Sequence, residues 1–173
     1  ATPLYIKLRQ TAEVSDLTED ADRLYPGIDI KLRLLKEGPV NPEISVGLQS
    51  AIGHKRMAGE YIALSKRYNN FDFTLGMGWG RLGSAAHFDN PFKIFGKHFR
   101  TPRNLDGEMP NDPADWFTGE DVGLFGGIEY FTPIDNVSLK IDYAADRYVA
   151  EHVAFGYQAP PAVSAGISYK PFK

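Results

Sequence analysis

Asp72, Glu129 and Asp142 are the carboxylates of this 173-residue chain most suited to chemistry. Each lies on the small or polar parity of an alternating segment, and Lys31, Arg33 and Lys140 share that placement. Two carboxylates at a fixed separation can cleave a glycosidic bond, one as acid and the other as nucleophile or base. The same groups flanked by cations can bind sugar hydroxyls. The plainer alternative is an ion-paired interior network. Small barrels fill their lumen with side chains, and buried charges need partners. That alternative is adopted here, with Asp72, Glu129 and Asp142 facing inward alongside Lys31, Arg33 and Lys140.

The segment Gly83 to Gly119 is the second candidate. It holds Phe88, Phe92, Phe95, Phe99, Trp116 and Phe117 together with Lys93, Lys97, Arg100 and Arg103. A long connection of this kind is often functional. Exposed aromatic rings stack on sugars, and a basic run suits acidic polysaccharide or lipopolysaccharide. Lys93, Lys97, Arg100, Trp116 and Phe117 are therefore the candidate glycan-contact residues. A folded cap over a barrel mouth, with the aromatics as its own small core, is the structural alternative, and both can hold.

Other residues carry less. His54, His87, His98 and His152 fall in predicted loops or at strand ends, without the spacing of a metal site. Gly76, Gly78 and Gly80 imitate a phosphate-binding loop, but that loop must open a helix. Here Met77 and Trp79 alternate between them inside a strand pattern. With no cysteine there is no disulfide, thiol nucleophile or thiolate-bound metal. No catalytic residue, metal or cofactor is expected.

The elements that position these residues are strands. Phe71, Phe73, Leu75, Met77 and Trp79 occupy one parity, with Asp72, Thr74, Gly76, Gly78 and Gly80 on the other. A strand with period two thus has a bulky apolar face and a small polar one. That suits a wall with lipid outside and a narrow lumen inside. Seven more segments resemble this strand: Leu4–Arg9, Ile28–Lys36, Glu43–Ile52, Glu60–Tyr68, Val122–Phe131, Val137–Tyr148 and Val163–Tyr169, with Glu60–Tyr68 the least regular because both its parities mix polar and apolar residues. The outward set includes Leu75, Met77, Ile128, Leu139, Ile141 and Ile167.

The connections alternate in length. Gln10–Gly27, Gly53–Gly59, Gly83–Gly119 and Val149–Pro161 are longer. Glu37–Pro42, Asn69–Asn70 and Thr132–Asn136 are shorter. This is the pattern of an up-and-down barrel with its tight turns at one end. Tyr68, Phe71, Trp79, Tyr130, Phe131, Tyr143, Tyr148 and Tyr169 lie near strand ends, as interfacial girdles do. No apolar run approaches the ~20 residues of a membrane-spanning helix. A net charge of −3 gives no bulk attraction to nucleic acid. The chain begins at Ala1 without a leader, so it is expected to be mature or a fragment.

Two blocks carry a family resemblance: Glu60-Tyr61-Ile62-Ala63-Leu64-Ser65-Lys66-Arg67, and Phe71 through Gly83. Asp29 to Gly38 and Val46-Gly47-Leu48 add to it. Weaker likeness continues through Asn90-Pro91-Phe92, Trp116-Phe117, Phe125 to Tyr130 and Leu139-Lys140. In these residues the chain resembles the YjbH family of exopolysaccharide-biosynthesis outer-membrane proteins. The resemblance implies an outer-membrane β-barrel of Gram-negative bacteria, linked to assembly or secretion of exopolysaccharide or capsule, with no established enzymatic activity. Members are considerably longer, so residues 1–173 are expected to be a fragment or one barrel unit.

The expectation is therefore an all-β, up-and-down antiparallel transmembrane barrel with eight strands. It would sit in the bacterial outer membrane as one domain. Its partners would be outer-membrane lipid and lipopolysaccharide, with exopolysaccharide and other envelope export proteins as further contacts. The rivals are a soluble lipocalin-like barrel with the bulky parity around a ligand, and an outer-membrane enzyme acting on glycans or lipids.

Overall fold

The computed structural model describes residues 4–12, 24–103, 111–149 and 158–171, with residues 4–12 and 24–26 described by their backbone alone. Among the described residues nine strands run in order: β1 (Leu4–Ala12), β2 (Leu24–Leu35), β3 (Glu43–Ile52), β4 (Gly59–Tyr68), β5 (Phe71–Gly78), β6 (Phe88–Asp89), β7 (Asp121–Phe131), β8 (Val137–Tyr143) and β9 (Val163–Tyr169). All eight expected strands are present, and the two-residue β6 is additional. The spatial order is β1-β2-β3-β4-β5-β7-β8-β9, with every neighbour antiparallel. Sequence-adjacent alternating segments joined by short turns pair in this way.

The sheet is not closed. Among the described residues β1 pairs with β2 alone, and β9 with β8 alone. The expected eight-stranded barrel is corrected to an open eight-strand meander, with β6 as a short addition on β7. Alternation and loop length fix pairing between neighbours. Closure requires a register between the two ends of the chain, and no local signal encodes that.

The two faces follow the sequence parity. Lys31, Gly47, Tyr61, Gly78 and Gly123 form one transverse row of the polar face. Arg33, Ser45, Ala63, Gly76 and Phe125 form the next. On the opposite face Leu64 stands beside Leu75, Phe73 beside Ile128, and Ile128 beside Ile141. This apolar face is bare. Leu75 and Ile141 are each 57% exposed and Ile167 is 77% exposed. Ile128 and Leu139 are exposed as well, and Met77 is half-buried.

Glycine and aromatic residues interlock across the polar face. A Cβ at Gly47 would overlap the Tyr61 ring, and one at Gly76 would overlap the Phe125 ring. The two rings then meet edge to face, 6.0 Å between centroids. The glycines are thus seats for rings on neighbouring strands, which compensates for a residue that packs nothing itself.

Strand direction sorts the connections. Glu37–Pro42, Asn69–Asn70 and Thr132–Asn136 lie at one end, where Lys66 Nζ donates to the carbonyl oxygens of Gly38 and Pro39 and the Phe131 amide donates to Asn70 O. Asn69 takes φ +51°, which asparagine tolerates in a tight hairpin. Gly53–Gly59 and Gly83–Gly119 lie at the other end, joined by the Asn111 amide donating to Gly53 O at 2.7 Å. β1 ends and β2 begins there too, as β8 ends and β9 begins. Residues 13–23 and 150–157 of those connections lie outside the described residues.

The Glu37 carboxylate at the short-turn end has a shifted titration. The backbone N–H of Arg67 donates to Glu37 Oε1 at 2.9 Å, and Lys66 Nζ stands 3.3 Å from the same oxygen. The Arg67 amide is the larger of these two influences holding the Glu37 carboxyl below the ordinary glutamate range. A depressed folded value contributes stability above the unfolded pKa, and that contribution is lost as pH falls through the folded one. Carboxyl NMR should show Glu37 titrating below a free glutamate. Lys66→Met should raise the midpoint without abolishing the depression, because the amide remains.

Gly76→Ala should destabilise by about 1–3 kcal/mol, since the added methyl must displace Phe125. Chemical denaturation would measure it. In a double-mutant cycle with Phe125→Leu the loss should shrink, and additivity would rule out the ring contact as its cause.

Candidate functional site

The site begins where β5 stops. Trp79 continues the ladder by one bond, its amide donating to Glu60 O at 2.8 Å. Gly80 then takes φ +59°, and a 3₁₀ turn over Gly80–Gly83 folds back. The alternation expected through Gly80 therefore outruns the strand, which ends at Gly78. Trp79 has the parity of Leu75 and Met77, yet it is 0% exposed. Its indole N–H explains why it is covered where Leu75 is bare: that group needs an acceptor, and the apolar row offers none.

The Gly83–Gly119 segment supplies the acceptor. Trp79 Nε1 donates to Asn90 Oδ1 at 2.9 Å. The same oxygen caps the 3₁₀ turn Pro91–Phe95 by accepting from the Phe92 amide at 3.0 Å. Asn90 Nδ2 is ringed by the carbonyl oxygens of Phe99, Phe117 and Gly119, each at 3.0 Å. Its two hydrogens are shared among three acceptors. Around this centre Phe92 stacks on Trp79 at 5.1 Å and Phe117 meets Trp79 edge-on at 5.1 Å. Phe95 and Phe99 each pack on Phe92 at 5.8 Å.

A buried ion pair locks the segment down. Glu60 has the parity of Ile62 and Leu64 and is only 1% exposed. Arg103 Nη1 lies 2.9 Å from Glu60 Oε2, and that oxygen also accepts from the Phe117 amide at 2.9 Å. The covered residues at this end, Glu60, Trp79 and Val122, all share the parity of the exposed apolar rows below them. The segment is thus an apron laid against the apolar side of the sheet. It also extends the ladder, because His87 donates its amide to Val122 O and Phe88 lies opposite Val122.

The candidate contact residues divide by environment. Phe117 belongs to the apron core. Lys93 is half-buried and pairs with Asp89 at 3.3 Å. Trp116 is half-buried, its Nε1 without a partner in the described structure. Lys97 and Arg100 are exposed on the 3₁₀ turn Lys97–Arg100. These residues occupy one structural unit without converging on one pocket. The histidines have structural partners: His87 Nδ1 accepts from the Leu124 amide, so its Nε2 carries the proton toward Tyr143 Oη at 2.8 Å. His98 Nε2 lies 2.7 Å from Ala114 O and His54 Nδ1 accepts from the Arg56 amide. His152 lies outside the described residues.

The polar network lies on the opposite face, toward the short-turn end. A cleft of about 410 Å³ is lined by Glu43, Ser65, Asp72, Thr74, Glu129, Lys140 and Asp142. Register places Arg67, Asp72, Glu129 and Lys140 on one rung across four strands. Its signs run plus, minus, minus, plus. Two carboxylates directly opposite repel. Here Glu129 is relieved by Ser138 Oγ at 2.6 Å and Lys140 Nζ at 3.4 Å. Arg67 holds its guanidinium 4.2 Å over the Phe131 ring. Arg33 and Lys31 share the face, but Arg33 pairs with Glu43 at 3.6 Å rather than with the expected carboxylates. Asp72 is three strands from β2, about 14 Å at the usual spacing.

Sequence reasoning missed Glu60, Asn90 and the role of Arg103. Glu60 carried a signal, being a carboxylate on an otherwise apolar row. Arg103→Met should cost about 3–5 kcal/mol in chemical denaturation, because it leaves Glu60 buried without its cation. Adding Glu60→Gln should recover part of that loss, and a double variant as unstable as the single would assign the effect to packing.

Comparison with known proteins adds the family. The YjbH family model, described as exopolysaccharide biosynthesis protein YbjH, matches residues 2–173. A protein of Escherichia coli (strain K12) described as "Uncharacterized lipoprotein YjbH" is 32% identical over 151 residues, covering 83% of this chain and 20% of the relative. The chain therefore spans about one fifth of that relative's length. No solved structure matches it. The family match over almost the whole chain agrees with the resemblance in β4 and β5, and the chain belongs to the YjbH exopolysaccharide biosynthesis family.

Proposed function

We propose that this chain forms wall strands of an outer-membrane β-barrel that supports exopolysaccharide or capsule assembly or secretion. It acts as scaffold and binding unit, without catalysis. One observation carries the reading: the sheet exposes Leu64, Phe73, Leu75, Ile128, Ile141 and Ile167 while its charged rung occupies the other face. Water penalises that arrangement and lipid favours it. A lipocalin-like barrel needs the reverse, with these side chains packed around a ligand.

Two further features support it. Tyr68, Phe71, Tyr130 and Tyr169 gather at the short-turn end of the apolar face, Phe71 stacking on Tyr130 at 4.8 Å. Such aromatics favour the level of lipid headgroups. The E. coli relative is described as a lipoprotein, which fits a place in the cell envelope for this chain too. The reading requires the free edges of β1 and β9 to be paired in the membrane, since unpaired backbone groups there cost several kcal/mol each. Its partners are outer-membrane lipid and lipopolysaccharide, with the polysaccharide and other export proteins as the contacts a supporting role needs.

Leu75→Arg tests the membrane claim. Leu75 lies between the Met77 and Phe73 rungs, two rungs from the Phe71–Tyr130 aromatics. At that depth it should destabilise the inserted protein by about 2–4 kcal/mol and lower exopolysaccharide output. Val40→Arg, in the exposed Glu37–Pro42 turn, should change neither. A chain that stays soluble and monodisperse without detergent, and tolerates Leu75→Arg, would overturn the proposal.

A further inference from the structure

The apron leaves its most exposed apolar side chains on the side of the sheet's bare face. Trp79 sits against the wall one row beyond Met77, Phe92 stacks on Trp79, and Phe95 packs on Phe92. Phe95 is therefore joined to Trp79 through one intervening ring. It is 71% exposed, and its neighbour Ile94 is 83% exposed. Gly96 follows, and the next turn exposes Lys97 and Arg100. Lys93 is occupied by Asp89, whereas Lys97 and Arg100 form no ion pair among the described residues. Bulky apolar tips beside free cations, at the margin of an apolar wall, match the chemistry of a bilayer interface with phosphate headgroups.

We propose that Ile94 and Phe95 insert into the headgroup layer of an anionic lipid leaflet while Lys97 and Arg100 bind its phosphates. The proposal rests on the membrane reading above and names the lipid partner of the apron. Continuity carries it: Phe88 lies opposite Val122, two residues before the exposed Leu124, so the apron begins where the bare face ends. The aromatic centre under Phe95 and the Glu60–Arg103 pair hold this edge in place, so insertion needs little ordering.

The chain has no cysteine, so single labels report single sites. Ile94→Cys, Leu75→Cys and Val40→Cys would each carry an environment-sensitive fluorophore. The labelled proteins would be reconstituted into vesicles of zwitterionic phospholipid, with or without anionic phospholipid. The label at 75 should emit as in hydrocarbon and the label at 40 as in water. The label at 94 should shift to the blue, more strongly in anionic vesicles. Lys97→Gln with Arg100→Gln should abolish the anionic increment. A label at 94 that stays aqueous while 75 reads hydrocarbon overturns this proposal and leaves the barrel standing. If 75 is aqueous too, the membrane reading fails first. An increment that survives both glutamines overturns phosphate recognition. A shift at 94 with soluble acidic polysaccharide, and none with anionic vesicles, would assign the edge to glycan instead.

Discussion

A sheet that turns its large aliphatic side chains outward and its charges to the other face needs an apolar environment on one side. That constraint organises the molecule. The burial of a Leu or Ile side chain is worth about 1.5–3 kcal/mol, and several such residues are left uncovered along β5, β7, β8 and β9. The opposite face cannot receive them, because its positions hold glycine, serine, threonine and an ionic rung. Exchanging the faces would move every side chain on each strand at once. The orientation is thus a collective property that no single residue can reverse.

The apron follows from the same constraint. Glu60 and Trp79 share the apolar parity but carry groups that hydrocarbon cannot satisfy. Both are covered where the bare face ends, by Arg103 and the Phe117 amide for the carboxylate and by Asn90 for the indole. The Gly83–Gly119 segment is therefore part of the sheet's chemistry as well as a connection. Removing it would leave a carboxylate and an indole N–H unpaired, and would strip β6 from β7. It also adds to the ladder, through the His87 amide bonded to Val122 O.

Much of the fold was legible because it is local. Alternation located eight strands, and turn lengths with Asn69, Pro39 and Pro133 ordered them as a meander. Parity also placed Leu75 and Ile141 on the exposed face and Asp72 and Glu129 on the other. Strand ends were less legible, since Trp79 continues the alternation while its N–H forbids the environment that alternation implies. β6 has two residues and no periodicity to detect. Asn90 was invisible as a centre, because its partners come from the Phe99 and Phe117–Gly119 stretches, brought together only by folding. The expected Arg33 pairings failed for a geometric reason. Sign complementarity can be read from sequence, but the number of strands between two charges must be counted in space.

The polar face is not uniform along the strands, and this bears on what the wall can do. Toward the short turns it opens into the cleft beneath the ionic rung. Toward the long connections it is filled across β3, β4 and β5. Tyr61 lies over Gly47, Phe125 over Gly76, and Leu82 over Gly78. The 3₁₀ turn carrying Leu82 is anchored by Arg81 Nε bonded to Asp146 Oδ2 at 2.6 Å. Gly78 and Gly83 approach so closely that a Cβ on either would press on the other's backbone or on Leu82. A flexible polymer moving along this face would have to displace an aromatic pair and an ion-paired turn together. Packed elements of this kind have discrete arrangements and do not yield gradually. The packed glycine seats therefore argue for a sheet that holds and presents, and solutes reach this face at the cleft and at a second hollow of about 380 Å³ beside Leu82, Phe125 and Asp142.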